Sequence, residues 1–157
     1  MLSVAGELNL AVAEAETRTY PGEQMDALAV LRLAEAYRDD AMHLLERRAC
    51  KSRSPFRLVA IHAIELYLNA YLLALGHPHA AIRGLQHDLG KRLTLLQEAG
   101  VILRLRTAEH LKALSSNREY LVSRYDCCET SRLSQLNRLQ ATLNEVRDRV
   151  TKKLATS

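Results

Sequence analysis

The sequence predicts an all-α protein, an up-and-down antiparallel bundle of five helices, or six with a short N-terminal one. Three observations carry this reading. Hydrophobic residues make up 48% of the 157, yet there is no Trp and a single Phe, so the core must be built from Leu, Ala and Val. Runs of β-branched residues are few, so a sheet is hard to place. Apolar residues recur at three-four spacing over long stretches that only three prolines and six glycines interrupt. The length fits one domain. Its expected organisation is an N-terminal arm over 1–22, a helical bundle over 23–154 and a tail over 155–157.

Within the arm, Leu8 to Ala15 is weakly amphipathic, and Tyr20–Pro21–Gly22 ends it. Glu23 to about Cys50 then predicts one long helix with the seam Ala27, Val30, Ala34, Tyr37, Ala41 and Leu44. Its small residues allow another helix to approach closely. Ser54 and Pro55 open the next helix, the first as a cap and the second as a first-turn residue, and Gly76–His77–Pro78 closes it. Leu58, Ile61, Leu68, Leu72 and Leu75 are its expected inward positions. His77 to Gln86 is a loop or short helix. His87 or Asp88 starts another, with Leu89, Leu93 and Leu96 inward and Gly100 as its stop. Asp88 places a carboxylate at the positive helix end.

After a link over 101–106, a helix from about Thr107 to Tyr125 is expected, with an apolar seam through Leu111, Leu114 and Leu121. Continuing that alternation puts Arg118 and Tyr125 on the seam. The last helix runs from Ser131 to about Leu154 along Leu136, Leu139, Leu143, Val146 and Val150. Short connections favour antiparallel neighbours.

Charge and composition bound the function. A net charge of +4 permits phosphate binding without demanding it. The first residues carry no basic region of a secretory signal, and no stretch approaches the roughly 18 apolar residues of a membrane span. Three cysteines, two of them adjacent at Cys127 and Cys128, make a poor disulfide framework. A cytoplasmic protein without membrane association is expected. His77, His79 and His87 lack a second ligand pair at zinc spacing, so no metal and no cofactor are expected. GxxxxGK[ST], GxGxxG and GxSxG are absent, which leaves phosphate-loop, dinucleotide-fold and nucleophile-elbow chemistry without support.

Two constellations remain. His62, Glu65 and Asn69 fall at i, i+3 and i+7, a polar strip in an otherwise apolar helix. A buried carboxylate there needs a partner. Arg118 and Tyr125 lie seven residues apart on one face, about 10 Å along the axis. An arginine on an apolar seam is either ion-paired or turned to a cleft. Two readings stand: a hydrogen-bonded polar seam between helices with a snorkelling arginine and a core-edge tyrosine, or Glu65 paired with Arg118 across the bundle, which would orient a guanidinium toward phosphate.

Residues 60–70, AIHAIELYLNA, followed by Leu72–Leu73–Ala74–Leu75–Gly76, resemble the A-x-E-L-x-L-K-A…G helix of the HEPN superfamily. His87–Asp88–Leu89 with Leu93 is similar to that family's H-x-L-x-x-L segment, and residues 120–126, YLVSRYD, to its Y-x-x-x-R-Y-P segment. The resemblance spans about residues 25 to 150. It implies a helical bundle that homodimerises and joins two polar clefts. It also implies either a metal-independent endoribonuclease with an R-x4–6-H motif or a protein paired with a nucleotidyltransferase that modifies the tyrosine of R-x4-H-x-Y. Laid on this chain, that motif puts its arginine at Arg118 and its tyrosine at Tyr125, and Ser123 stands in the histidine position. Serine cannot exchange protons near neutrality without an activating base, so standard ribonuclease catalysis is not expected. The expected function is binding of nucleotide, RNA or a partner protein, as in toxin–antitoxin or nucleotidyltransferase-associated proteins, through a cleft of His62, Glu65, Asn69, Arg118, Ser123, Arg124 and Tyr125. The alternatives are an active ribonuclease toxin that uses Arg118 with His62 or His87 as base, and a purely structural or adaptor bundle.

Overall fold

The computed structural model describes residues 19–47, 52–126 and 133–156. The Leu8–Ala15 segment, all three cysteines and Ser157 lie outside the described residues. Seven helices make up the described chain: α1 (Ala27–Glu46), α2 (Ser54–Ala74), α3 (His79–Gly84), α4 (Leu89–Glu98), α5 (Leu105–Ser116), α6 (Glu119–Tyr125) and α7 (Leu136–Ala155). The all-α expectation holds. The count rises because α3 forms a helix of its own and because the single helix expected over 107–125 is two.

The centre of the protein is α2. It packs against α1, α3, α4, α6 and α7, so it is apolar around most of its circumference. Phe56, Ala60, Ile64, Leu68 and Leu72 are almost wholly buried along it. This helix corrects one expectation. It is long and apolar enough to cross a membrane by length and composition, but most of it is buried inside the bundle. Its cap also differs. Ser54 is already helical, and the hydroxyl of Ser52 accepts the Ser54 N–H at 3.2 Å.

The other seams follow the expected spacing. Val30, Ala34 and Ala41 of α1 are buried against α2, and Leu139, Leu143, Val146 and Val150 of α7 are buried. Two polar contacts clasp α1 to α7: Arg147 Nε to Glu35 at 3.0 Å and Arg38 Nη2 to Asn144 Oδ1 at 3.1 Å. Leu89, Leu93 and Leu96 of α4 face inward as expected, and Asp88 caps that helix by accepting the Lys91 N–H at 2.9 Å. Leu75, expected inward, is 40% exposed, because it is the C-cap where α2 turns away.

The helix ends explain the largest departure. At Gly76 and Gly100 the chain enters the left-handed region, and each end closes with a paired backbone motif: Gly76 N to Leu73 O and His77 N to Leu72 O, Gly100 N to Gln97 O and Val101 N to Leu96 O. The ends of α3 and α5 put Gln86 and Arg118 in the glycine position, at φ +50° and +51°, and make the first bond of that pair, Gln86 N to Arg83 O and Arg118 N to Ser115 O. The Arg118 turn breaks the expected helix and resets its phase. Glu119 and Ser123 therefore turn inward, while Tyr125 is 81% exposed. The buried Glu119 carboxylate accepts from Arg57 Nη1 at 2.8 Å, Ser134 Oγ at 2.8 Å and Ser134 N at 3.1 Å.

Candidate functional site

The polar strip of α2 lies at the base of a cleft. Its order comes from Arg92, which is 1% exposed. Arg92 Nε donates to Asn69 Oδ1 at 2.7 Å, Nη1 to the Asp88 carbonyl at 3.2 Å, and Nη2 to Glu65 Oε1 at 3.4 Å. Burial pulls its pKa below the ordinary arginine value, and Glu65 and Asp88 push back. Every arm of the guanidinium is thus engaged in holding the strip, and the charge of Glu65 is balanced inside the protein.

The second partner of Glu65 is His87, with Nδ1 3.0 Å from Oε2. A carboxylate only accepts, so Nδ1 carries a proton, and in the neutral tautomer that this bond selects the lone pair lies on Nε2. The ring of Tyr120, from α6, lies against this imidazole with centroids 4.8 Å apart. His62 sits one turn away, its ring edge-on to Tyr37 at 4.7 Å. Burial holds the His62 pKa below the ordinary value; Glu65 opposes this, and Arg124 and His87 add to it.

Two cavities open on either side of His87, and both are also lined by Gln86. The first, of about 730 Å³, is a cationic groove between the α3–α4 turn and the α5–α6 break, where His87, Lys91, Lys112, Arg118 and Tyr120 meet. Asp88, its one carboxylate, is already engaged as a helix cap and by Lys91 Nζ at 3.6 Å. The second, of about 770 Å³, lies over His62, Glu65, Asn69 and Arg92. A strap over residues 20–25 borders it: the Arg83 guanidinium stacks on the Tyr20 ring at 4.4 Å and pairs with Glu23 at 3.3 Å, and His79 Nε2 donates to the Met25 carbonyl at 2.9 Å.

The structure therefore unites part of the expected site and corrects the rest. His62, Glu65 and Asn69 share one cavity. Arg118 belongs to the adjoining groove and is exposed; it does not pair with Glu65, whose partners are Arg92 and His87. Arg118 ends α5 in a left-handed turn, so its side chain leaves the seam on which regular periodicity placed it. Ser123 is buried and its hydroxyl donates to the Glu119 carbonyl at 2.7 Å, away from both cavities. Arg124 and Tyr125 are exposed and line neither. Arg92, Lys91 and Lys112 were not anticipated. Arg92 had a signal: it sits on the inward seam between Leu89 and Leu96, where an arginine needs a partner. Among the described residues, no three His, Cys, Asp or Glu side chains come together as metal ligands would.

Compared with known proteins, the chain matches no family model, and no curated protein or solved structure is similar enough to count as a match.

Proposed function

We propose that this is a HEPN-like helical protein that binds RNA or nucleotide phosphates in the groove of His87, Lys91, Lys112 and Arg118. One observation carries the reading. Of the four left-handed helix ends, Gly76 and Gly100 use the residue that suits the conformation, whereas Gln86 and Arg118, the two that line this groove, do not. A non-glycine residue there costs about 1–2 kcal/mol, and such strain concentrates where a side chain has a task. With Lys112 and Lys91 on the same lining, Arg118 offers phosphate three cations against one carboxylate, Asp88, which pairs with Lys91. The motif resemblance adds weight, since it put the phosphate-facing arginine at the same residue. The test is fluorescence anisotropy of a labelled single-stranded RNA over a salt series. Binding that weakens with salt, with a slope reduced by about one per cation replaced in Lys91→Ala, Lys112→Ala or Arg118→Ala, supports the reading; no binding at 50 mM salt overturns it.

A second reading, a metal-independent ribonuclease, is favoured by the Glu65–His87 bond. In the neutral ring Glu65 selects the tautomer with its lone pair on Nε2, and His87 lines the groove that holds Arg118. His87 would take the proton of the 2′-hydroxyl as that oxygen bonds to phosphorus and the P–O5′ bond breaks, Arg118 would stabilise the charge that develops on phosphate, and the leaving 5′-oxygen would take a proton from water, giving a 2′,3′-cyclic phosphate and a 5′-hydroxyl. Cleavage of RNA by wild type and its loss in His87→Gln distinguish an enzyme from a binder. Homodimerisation and a nucleotidyltransferase partner belong to the same proposal, and the first is read by sedimentation.

A further inference from the structure

We infer that the surface around the α4–α5 link is a peripheral docking site for an anionic lipid bilayer. Ile102 and Leu105 enter the boundary between headgroups and acyl chains, and Arg104, Arg106, Arg149 and Lys152 meet the lipid phosphates. The inference is independent of the RNA groove, which is lined by the opposite end of α5, at Ser115 and Ser116.

The backbone of the link sets the aliphatic tips. Residues 101–104 are not helical, and their side chains alternate: Val101 and Leu103 are buried, whereas Ile102 is 77% exposed. The Glu145 carboxylate of α7 accepts the Arg104 N–H at 2.7 Å and pins the link to α7. Leu105 then opens α5 at 73% exposure, ahead of buried Thr107 and Ala108. Among the described residues, Ile102 and Leu105 are the two most exposed large aliphatic side chains. Exposed apolar residues scattered singly are ordinary. These two lie three residues apart and are held outward by neighbours that are packed.

Cations surround the tips. Three shallow hollows of about 440, 490 and 310 Å³ follow one another along α7. Arg104 lines the first two, and Arg149 and Lys152 line the last two. Leu105 and Arg106 border the first hollow and Ile102 the third, so tips and cations share one surface. All four cations are exposed, and none of their side chains is ion-paired among the described residues. The two carboxylates on this lining are already bonded: Glu145 accepts the Arg104 N–H and the Thr107 hydroxyl, and Asp148 pairs with Arg147 at 3.2 Å. Glu98 and Glu109 line none of the three hollows.

This combination favours a bilayer over other anionic partners. Single-stranded RNA gains affinity from aromatic platforms, and no aromatic side chain lines the hollows. A protein partner needs a pocket shaped to receive each tip, and protein interfaces are anchored by aromatic residues and depleted in lysine. A bilayer takes aliphatic tips without a matched pocket. Arginine and lysine lay their stems along the boundary and keep their charges at the phosphates. The expectation of no membrane association concerned spanning segments, which a surface contact does not need.

The experiment sediments the full chain with sucrose-loaded vesicles at about 100 mM salt. One set is phosphatidylcholine with about 30% phosphatidylserine, the other phosphatidylcholine alone. Wild type is expected to bind the phosphatidylserine vesicles at least about ten-fold more tightly. Arg149→Gln with Lys152→Gln is expected to weaken that binding about thirty-fold, and Ile102→Ser with Leu105→Ser about ten-fold. All four positions are exposed, so both variants should keep wild-type stability in urea. Lys112→Gln with Arg118→Gln, in the RNA groove, is expected to bind vesicles as wild type does. No binding to the phosphatidylserine vesicles, or equal affinity for both sets, overturns the proposal. Undiminished binding by the Ile102→Ser, Leu105→Ser variant also overturns it, since charge alone would then hold the vesicle. Loss of binding in the groove variant overturns it by moving the bilayer to the groove. Wild-type vesicle binding that is absent, with RNA binding weakened by Arg149→Gln and Lys152→Gln, would make the surface a nucleic-acid contact instead.

Discussion

Gln86 and Arg118 end two different helices in the same left-handed turn, at φ +50° and +51°, and line one groove. Each occupies the position that glycine fills at the ends of α2 and α4. The turn itself is structural, since it closes a helix; the side chain on it is not needed for closure. Gln86→Gly is therefore expected to stabilise the fold by about 1 kcal/mol, because it removes the steric penalty of a Cβ in this region. Urea denaturation at constant m-value reads the change. A destabilised Gln86→Gly protein would show that the glutamine side chain supports the fold.

The ion pair of Arg57 and Glu119 anchors α6 to α2. Glu119 is 1% exposed, and the pair closes at 2.8 Å. Arg57→Met leaves that carboxylate buried with only Ser134 to satisfy it and is expected to cost about 3 kcal/mol. Arg57→Met combined with Glu119→Met is expected to cost less than the single change, since no orphan charge remains. Equal or larger loss in the double variant, measured by chemical denaturation, would assign the effect to packing.

Acid lowers stability through two imidazoles, His110, which is buried, and His62, which is partly buried. His110 Nδ1 lies 2.7 Å from the Thr142 hydroxyl, and its Nε2 has no partner. Burial depresses its pKa below 6.5, opposed by Glu119 and aided by Arg138, and burial depresses that of His62 as well. The unfolded chain takes up these protons as pH falls through about 6.5, whereas the folded chain resists them until lower pH. The stabilisation is complete above 6.5 and declines below it. Thermal melts at pH 7.5 and 5.5 should differ less in His110→Gln than in wild type; an unchanged difference would exclude His110 as a source.

The clamp of Arg92 on Glu65 and Asn69 holds the cleft in order. Arg92→Met is expected to destabilise by about 3 kcal/mol, because the Glu65 carboxylate, whose side chain is only 12% exposed, is left with His87 alone opposite it. Arg92→Met combined with Glu65→Met is expected to cost less than the single change, since no orphan charge remains. An equal or larger loss in the double variant, measured by urea denaturation, would contradict this.

Much of this was legible in residue spacing. The strip His62, Glu65 and Asn69 was visible because three polar side chains at helical intervals interrupt an apolar helix, and the need of Glu65 for a partner followed from burial. Its partner was not legible, since two arginines, Arg92 and Arg118, both interrupt leucine seams and only tertiary packing selects between them. The break before Glu119 was masked for a different reason. Ser115, Ser116 and Asn117 are residues that favour helix ends, but no glycine or proline marks the stop, because an arginine occupies the glycine position. The helix expected to continue through Tyr125 thus changed phase, which exposed Arg118 and Tyr125 and buried Glu119 and Ser123. Glu119 lies 62 residues from Arg57, a distance at which spacing carries no pairing information.

The central claim is that Arg118 occupies a strained helix end for the sake of a ligand. It is tested most directly by titrating a labelled single-stranded RNA with wild type and Arg118→Gly at 100 mM salt, after denaturation has confirmed that the variant is folded. The account predicts RNA binding weakened by about ten-fold, in a protein at least as stable as wild type. Undiminished RNA affinity in Arg118→Gly would contradict it.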